Sequence, residues 1–161
     1  MEFRELRVQK IKDGVVIDHL KAGSALKILE MLGITGSEGF VITVAMNVPS
    51  QKLGLKDIIK IEGRYLSPSE TSKIALLAPK ATLNVIKDYR VESKERLRLP
   101  DEIVGIVKCS NPTCITNHEP AIKSKFAVVS RDPLKIKCGY CETIMNREEL
   151  AERLSRERCL Q

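Results

Sequence analysis

The chain has 161 residues, 43% hydrophobic, 4% aromatic and 30% charged, with a mean hydropathy of −0.13 and a formal net charge of +6. That length holds one ordinary domain or two small ones; no run of 18 apolar residues is present to cross a membrane, and the opening MEFRELRVQK lacks the apolar centre of a signal peptide. Residues 1–100 carry 17 Lys and Arg against 12 Asp and Glu, and residues 101–161 carry 10 against 9, so an anion site is expected in the first hundred residues.

In chain order, Leu6–Ile11 reads as a strand, Asp13-Gly14 as a tight turn and Val15–Leu20 as further extended chain. Ser24 stands where an N-cap belongs, before a helix reaching Leu32 and ended by Gly33. Ala25, Ile28, Leu29 and Leu32 share one face of that helix. Phe40–Met46 and Asp57–Glu62 read as strands. Ser67-Pro68-Ser69-Glu70 is a capping box with Pro at the first helical position, predicting a helix to about Leu77 that Pro79 ends. Ala81–Lys87 is the next strand.

The order βαββαβ predicts an α+β fold, a ferredoxin-like sandwich with two helices on one face of an antiparallel sheet. Side chains alternate across a strand. Ile59, Ile61, Leu83 and Val85 are therefore expected beneath the helices, with Lys60 and Asn84 on the uncovered face. Residues 95–101, ERLRLPD, read as a connection, dividing the chain into a domain over 1–98 and a second over 99–161. In the second, Ile103–Lys108 leads to a first cysteine pair, and Lys125–Ser130 and Leu134–Lys137 are short strands. Asn146 and Glu149 form a capping box that opens a C-terminal helix, with Leu150 and Leu154 as its apolar face. Glu149–Arg153 and Glu152–Arg156 have the spacing of ion pairs along it.

Cys109, Cys114, Cys138 and Cys141 form C-x4-C, a 23-residue gap and C-x2-C. Two close pairs so spaced bring four thiolates around one tetrahedral zinc. A closed shell of four cysteines leaves no coordination position for water, so such a metal holds a fold and does no chemistry. The alternative is two disulfides; with no secretory signal, a reducing cytoplasm and a free-thiol metal site are expected. Four thiolates with one Zn²⁺ add −2, which leaves the metal half about −1. Cys159 is a lone thiol.

No catalytic set is legible. His19 and His118 are the only histidines, and neither sits in H-E-x-x-H; there is no G-x-S-x-G, no G-x-G-x-x-G and no P-loop. The expectation is a chain that is not an enzyme. Taken singly, Asp18, His19 and Lys60 are ordinary surface groups. Taken together, Lys94 and His19 offer phosphate donors, Asp18 a ribose-type acceptor, and Asn84 and Lys60 groups for a base edge, which suits a nucleotide. An RNA-binding sheet of this topology needs stacking aromatics on its central strands, and KDIIKIEG has none. No nucleic-acid or membrane partner is expected.

Several segments carry a specific resemblance: Gly14-Val15-Val16-Ile17-Asp18-His19, Asn47-Val48-Pro49-Ser50, Gly54 to Glu62, Ala78-Pro79-x-Ala81-Thr82-x-Asn84, and the two cysteine knuckles. In combination, over about residues 6–145, they resemble the regulatory chain of aspartate carbamoyltransferase. The resemblance implies a non-catalytic subunit of pyrimidine biosynthesis that binds CTP as inhibitor and ATP as activator, with UTP a further candidate. It also implies a zinc domain docked on a separate catalytic chain, dimers formed through the N-terminal domain, and a holoenzyme of six catalytic and six regulatory chains. By position, effector contacts fall on Ile11, Asp18, His19, Lys60, Asn84, Tyr89, Val91 and Lys94, with Val8, Gln9 and Lys10 beside the base. Ser50 and Lys56 match positions near a second nucleotide in some members. Asn111 and Glu142 match positions near the catalytic-chain contact, where Thr113 replaces an Asn.

Overall fold

The computed structural model describes residues 10–157. Most of the strand expected over Leu6–Ile11, together with Val8, Gln9 and Cys159, lies outside them, and Lys10 and Ile11 are not in a strand. The first half is built from β1 (Gly14–Lys21), α1 (Ala25–Met31), β2 (Ile42–Ser50), β3 (Gly54–Glu62), α2 (Pro68–Leu77), β4 (Thr82–Lys87) and β5 (Arg90–Arg96). The strands form one antiparallel sheet in the order β2-β3-β1-β4-β5. Its first four strands follow the ferredoxin-like order, and β5 is an addition. Asp88 and Tyr89 both take left-handed backbone, with φ of 47° and 62°, a two-residue turn whose twist suits an antiparallel hairpin. Glu95 and Arg96 therefore belong to a strand, not to the connection read over 95–101.

One face of the sheet is dry. Val15, Ile17, Ile59, Ile61 and Leu83 are buried there with Ala25, Ile28 and Met31 of α1 and Ile74 of α2. Burying each larger aliphatic side chain contributes about 1.5–3 kcal/mol. Val85, expected beneath the helices, is only half-buried. The capping box on α2 forms, with Ser67 Oγ accepting from the Glu70 amide at 3.2 Å.

Ser24 makes no side-chain cap on α1; its Oγ donates to the Lys21 carbonyl at 2.6 Å. Asp57 of β3 takes over that duty. It is 0% exposed, and its Oδ2 accepts from the amides of Gly23 at 2.9 Å and Ala25 at 3.0 Å while Oδ1 accepts from Asn47 at 2.9 Å. Three backbone donors make a buried carboxylate tolerable, and one residue thereby joins the start of α1 to the irregular middle of β2.

The second half holds β6 (Glu102–Val104), β7 (Lys125–Arg131), β8 (Leu134–Cys138) and β9 (Ile144–Asn146) as an antiparallel sheet in that order, followed by α3 (Arg147–Arg156). Asn146 and Glu149 cap α3 reciprocally, each bond 2.9 Å. The expected Glu149–Arg153 pair gives way to two other bonds. Glu149 is spent on the cap, and Arg153 Nη2 donates to the Ser110 carbonyl at 2.9 Å. Leu150, Ala151 and Leu154 are buried, α3 lies against α1 and α2, and one apolar core runs through both halves.

Candidate functional site

The four cysteines converge from two loops. Asn111 shapes the first: its Oδ1 accepts from the Thr113 amide at 3.1 Å, and the Cys114 amide donates to the Asn111 carbonyl at 3.1 Å. Asn117 Nδ2 closes this loop on the carbonyls of Cys109 at 2.9 Å and Asn111 at 2.8 Å. In the second loop the Cys138 amide donates to the Thr143 carbonyl at 2.9 Å, and Glu142 takes a left-handed φ of 63°. Gly139 sits in close approach: a Cβ there would lie 3.3 Å from the Lys125 carbonyl, so a larger residue needs that carbonyl to give by a few tenths of an ångström.

The four Sγ atoms all lie within 4.8 Å of one another, with Cys109–Cys141 at 3.5 Å and Cys114–Cys138 at 3.8 Å. Sulfurs held about 2.3 Å from one tetrahedral ion stand about 3.8 Å apart, so the donor set fits zinc. Burial pushes the Cys109 thiol far above its ordinary range and raises Cys138 as well. Cys141, on the open side, is drawn down to about 6, chiefly by its hydrogen bond with Thr143 at 3.2 Å. A divalent cation is the natural counter-charge to four sulfurs so packed. The described cysteines are free thiols, not disulfides.

The other cluster lies on the uncovered face of the five-stranded sheet. Cross-strand register sets Thr43, Lys60, Val16, Asn84 and Lys94 in one row across all five strands. Lys60 and Asn84, related in the sequence only by parity, are thus two strands apart on a shared line. A second row of this face runs through Asp18, Thr82 and Arg96. A third joins Glu62, Gly14, Ile86 and Val91. Gly14 has φ of +153°, and a Cβ there would stand 2.1 Å from the Ile61 carbonyl, so only glycine fits.

The face is graded from end to end. Buried Ile11 and Ile86 lie near the apolar end, where Tyr89 and Val91 are 58% and 60% exposed. The β4–β5 turn is stitched to the chain after Ile11, with the Tyr89 amide donating to the Lys12 carbonyl at 3.0 Å and the Asp88 amide to Asp13 Oδ1 at 3.0 Å. At the charged end β1 breaks register and His19 adopts φ of 56°. Its amide donates to Asp18 Oδ1 at 2.6 Å, and its Nδ1 lies 3.0 Å from Thr82 Oγ1. Lys56 Nζ reaches Asp18 Oδ1 at 2.9 Å. Burial raises the Asp18 pKa, but the Lys56 hydrogen bond, the His19 amide and the neighbouring charges outweigh it and hold the carboxyl below its ordinary value.

The eight residues singled out in the sequence thus fall on this face or along its apolar margin. Reasoning from sequence missed Asp57, the Lys56 contact to Asp18, and the row partners Thr43, Val16, Thr82 and Arg96. Alternation assigns faces but not partners, so no signal short of the register would have found the rows.

Comparison with known proteins gives two family matches: aspartate carbamoyltransferase regulatory chain, allosteric domain, over residues 6–98, and aspartate carbamoyltransferase regulatory chain, metal binding domain, over residues 101–151. Curated relatives named aspartate carbamoyltransferase regulatory chain include that of Hyperthermus butylicus, 56% identical over 152 residues, covering 93% of this chain and 94% of the relative. That of Pyrococcus abyssi is 53% identical over 151 residues, covering 93% and 99%. That of Thermococcus kodakarensis is 52% identical over 149 residues, covering 92% and 97%.

Proposed function

Because the chain belongs to the family of aspartate carbamoyltransferase regulatory chains, we propose that the open face of its five-stranded sheet binds CTP and ATP, with UTP as a further ligand. The chain is a regulatory subunit and not a catalytic one. The observation that carries the nucleotide reading is the row Lys60–Val16–Asn84–Lys94. Ile11, Tyr89 and Val91 flank the base, Asn84 and Lys60 meet polar edges, Asp18 accepts from the ribose, and Lys94 and His19 meet phosphate. The gradient from apolar to charged along the face supports that lengthwise orientation.

The metal is one structural zinc on Cys109, Cys114, Cys138 and Cys141; in a closed thiolate shell it supplies rigidity. The division of labour falls at residues 98 and 99, a boundary supported by family matches that end at 98 and resume at 101. The zinc half docks on the catalytic chain, which the exposed Ile115, Tyr140 and Ile144 around the metal loops favour. The chain pairs with a second copy through its first half, whose edge strand β2 and exposed Leu26 and Val41 offer a surface. The assembly works in the cytoplasm.

Regulation then rests on differential affinity. A nucleotide shifts a quaternary equilibrium only as far as it prefers one state, and coupling of this kind is typically about 1–3 kcal/mol. Calorimetric titration with CTP tests the face. Lys60→Ala and Lys94→Ala should each weaken binding about tenfold or more; unchanged affinity in both variants overturns the reading.

A further inference from the structure

A groove of ≈ 1020 Å³ opens between the two halves, walled by the end of β1, the β2–β3 turn, the α2–β4 connection, the segment leaving β5, the β7–β8 turn and the first residue of α3. Lys21, Lys80, Arg96, Arg98 and Arg147 line it, against a single acid, Asp132. Among the described residues none of these five cations has a carboxylate within ion-pair distance. Arg131 also lines the groove, but its guanidinium is committed to the Leu99 carbonyl and to Asp101.

Arg147 is the informative residue. Its Nε is buried and has no hydrogen-bond partner among the described residues. It occupies the first position of α3, where the helix dipole disfavours a cation and favours an anion. The nearby carboxylate of Glu149 is occupied by the cap. Arg147 lines the groove at the start of α3, so an anion there meets both its cationic side chain and the positive end of the helix dipole.

We propose that this groove is a second anion site, taking an ion that carries two or more phosphate groups and bridging the two halves. It meets the nucleotide face only at His19 and Arg96, and its other cations come from different elements, so it does not depend on the nucleotide assignment. Leu53, Leu97 and Leu99 give it apolar walls, which lower the local dielectric and strengthen each ionic contact.

The test is titration of the full-length, metal-loaded chain with tripolyphosphate by calorimetry at physiological salt. The double variant Arg98→Ala/Arg147→Ala should weaken tripolyphosphate binding about tenfold or more and leave CTP affinity unchanged; Lys60→Ala should do the reverse. Absence of binding by the unmodified chain overturns the proposal, as does an unchanged double variant or loss of tripolyphosphate binding in Lys60→Ala. Should the double variant fail to fold, Lys21→Ala/Lys80→Ala, at exposed positions, gives the same reading. Loss of tripolyphosphate binding when the catalytic chain is added would make the groove a docking surface for that partner and likewise overturn it.

Discussion

The two halves hold their candidate functional groups by different means. On the five-stranded sheet, Lys60, Asn84 and Lys94 stand where the backbone ladder puts them. The ladder is stabilised from behind by a dry layer of aliphatic side chains, so it does not depend on anything bound in front. In the other half the functional groups are the core. Cys109, Cys114 and Cys138 are 0%, 1% and 0% exposed, and the buried apolar side chains that the small sheet itself supplies beside them are Ile103, Phe126, Leu134, Ile136 and Met145. A unit of about sixty residues is marginal on apolar burial alone, so a metal makes up the deficit. A ligand that leaves the first half should leave a fold behind; an ion that leaves the second should not.

Removing the ion is the most direct way to break that contrast. Apparent binding energies for structural zinc run about 10–16 kcal/mol, which exceeds the stability of a small domain. Chelation, or Cys114→Ser, should therefore abolish amide protection across β6 to β9 while the five-stranded sheet keeps its own. Hydrogen exchange reads both at once. Equal loss in the two halves would show that the continuous core through α3 couples them too tightly to be separated; retention of both would show that the cysteine half stands without metal.

Asp57→Ala is the corresponding blow to the first half, and a smaller one. It strands the amides of Gly23, Ala25 and Asn47 at a cost of about 3 kcal/mol, read as a fall in the denaturant midpoint. The cysteine sheet should be untouched, because none of those amides belongs to it. A variant within about 0.5 kcal/mol of the parent would mean that water replaces the carboxylate without penalty.

Asp57 also marks the limit of what the sequence reveals. The capping boxes at Ser67 and Asn146 were legible because both partners lie three residues apart on one segment. The cap of α1 was not, because its acceptor comes from a strand more than thirty residues away. The convergence of the four cysteines was legible from spacing alone, since knuckle geometry is local. The order of elements, and the faces of Lys60 and Asn84, followed from periodicity. The fifth strand was not foreseen: every residue of β5 is exposed, and Arg90-Val91-Glu92-Ser93-Lys94 carries no apolar alternation to mark a buried face. The Asp88-Tyr89 turn was hidden for a related reason, because neither residue is the glycine that usually marks left-handed backbone.

Charge on the open face sharpens the contrast from the other side, because there a change should alter binding and little else. Lys60→Ala and Lys94→Ala, expected to weaken CTP, should each shift unfolding free energy by less than about 0.5 kcal/mol. Thermal or chemical denaturation of the unliganded variants checks this. A large destabilisation would mean that the lysines help to hold the sheet, and would remove the distinction between a preformed face and a metal-dependent core.

The smallest effect concerns acid. Asp18 keeps its carboxyl below the ordinary value through Lys56 and the His19 amide. A folded-state pKa below the unfolded one means that the pair's contribution is present above about pH 4 and is lost as pH falls through the folded value. Asp18→Asn removes that titration, so protection of the His19 amide should fall less steeply below pH 4 in the variant than in the parent. The amide is the right probe, since protonation of the thiolates acts on the other sheet and would mask a global measurement. Parallel acid profiles for that single amide would show that Lys56 and the left-handed turn at His19 hold the charged end of the face without help from the Asp18 charge.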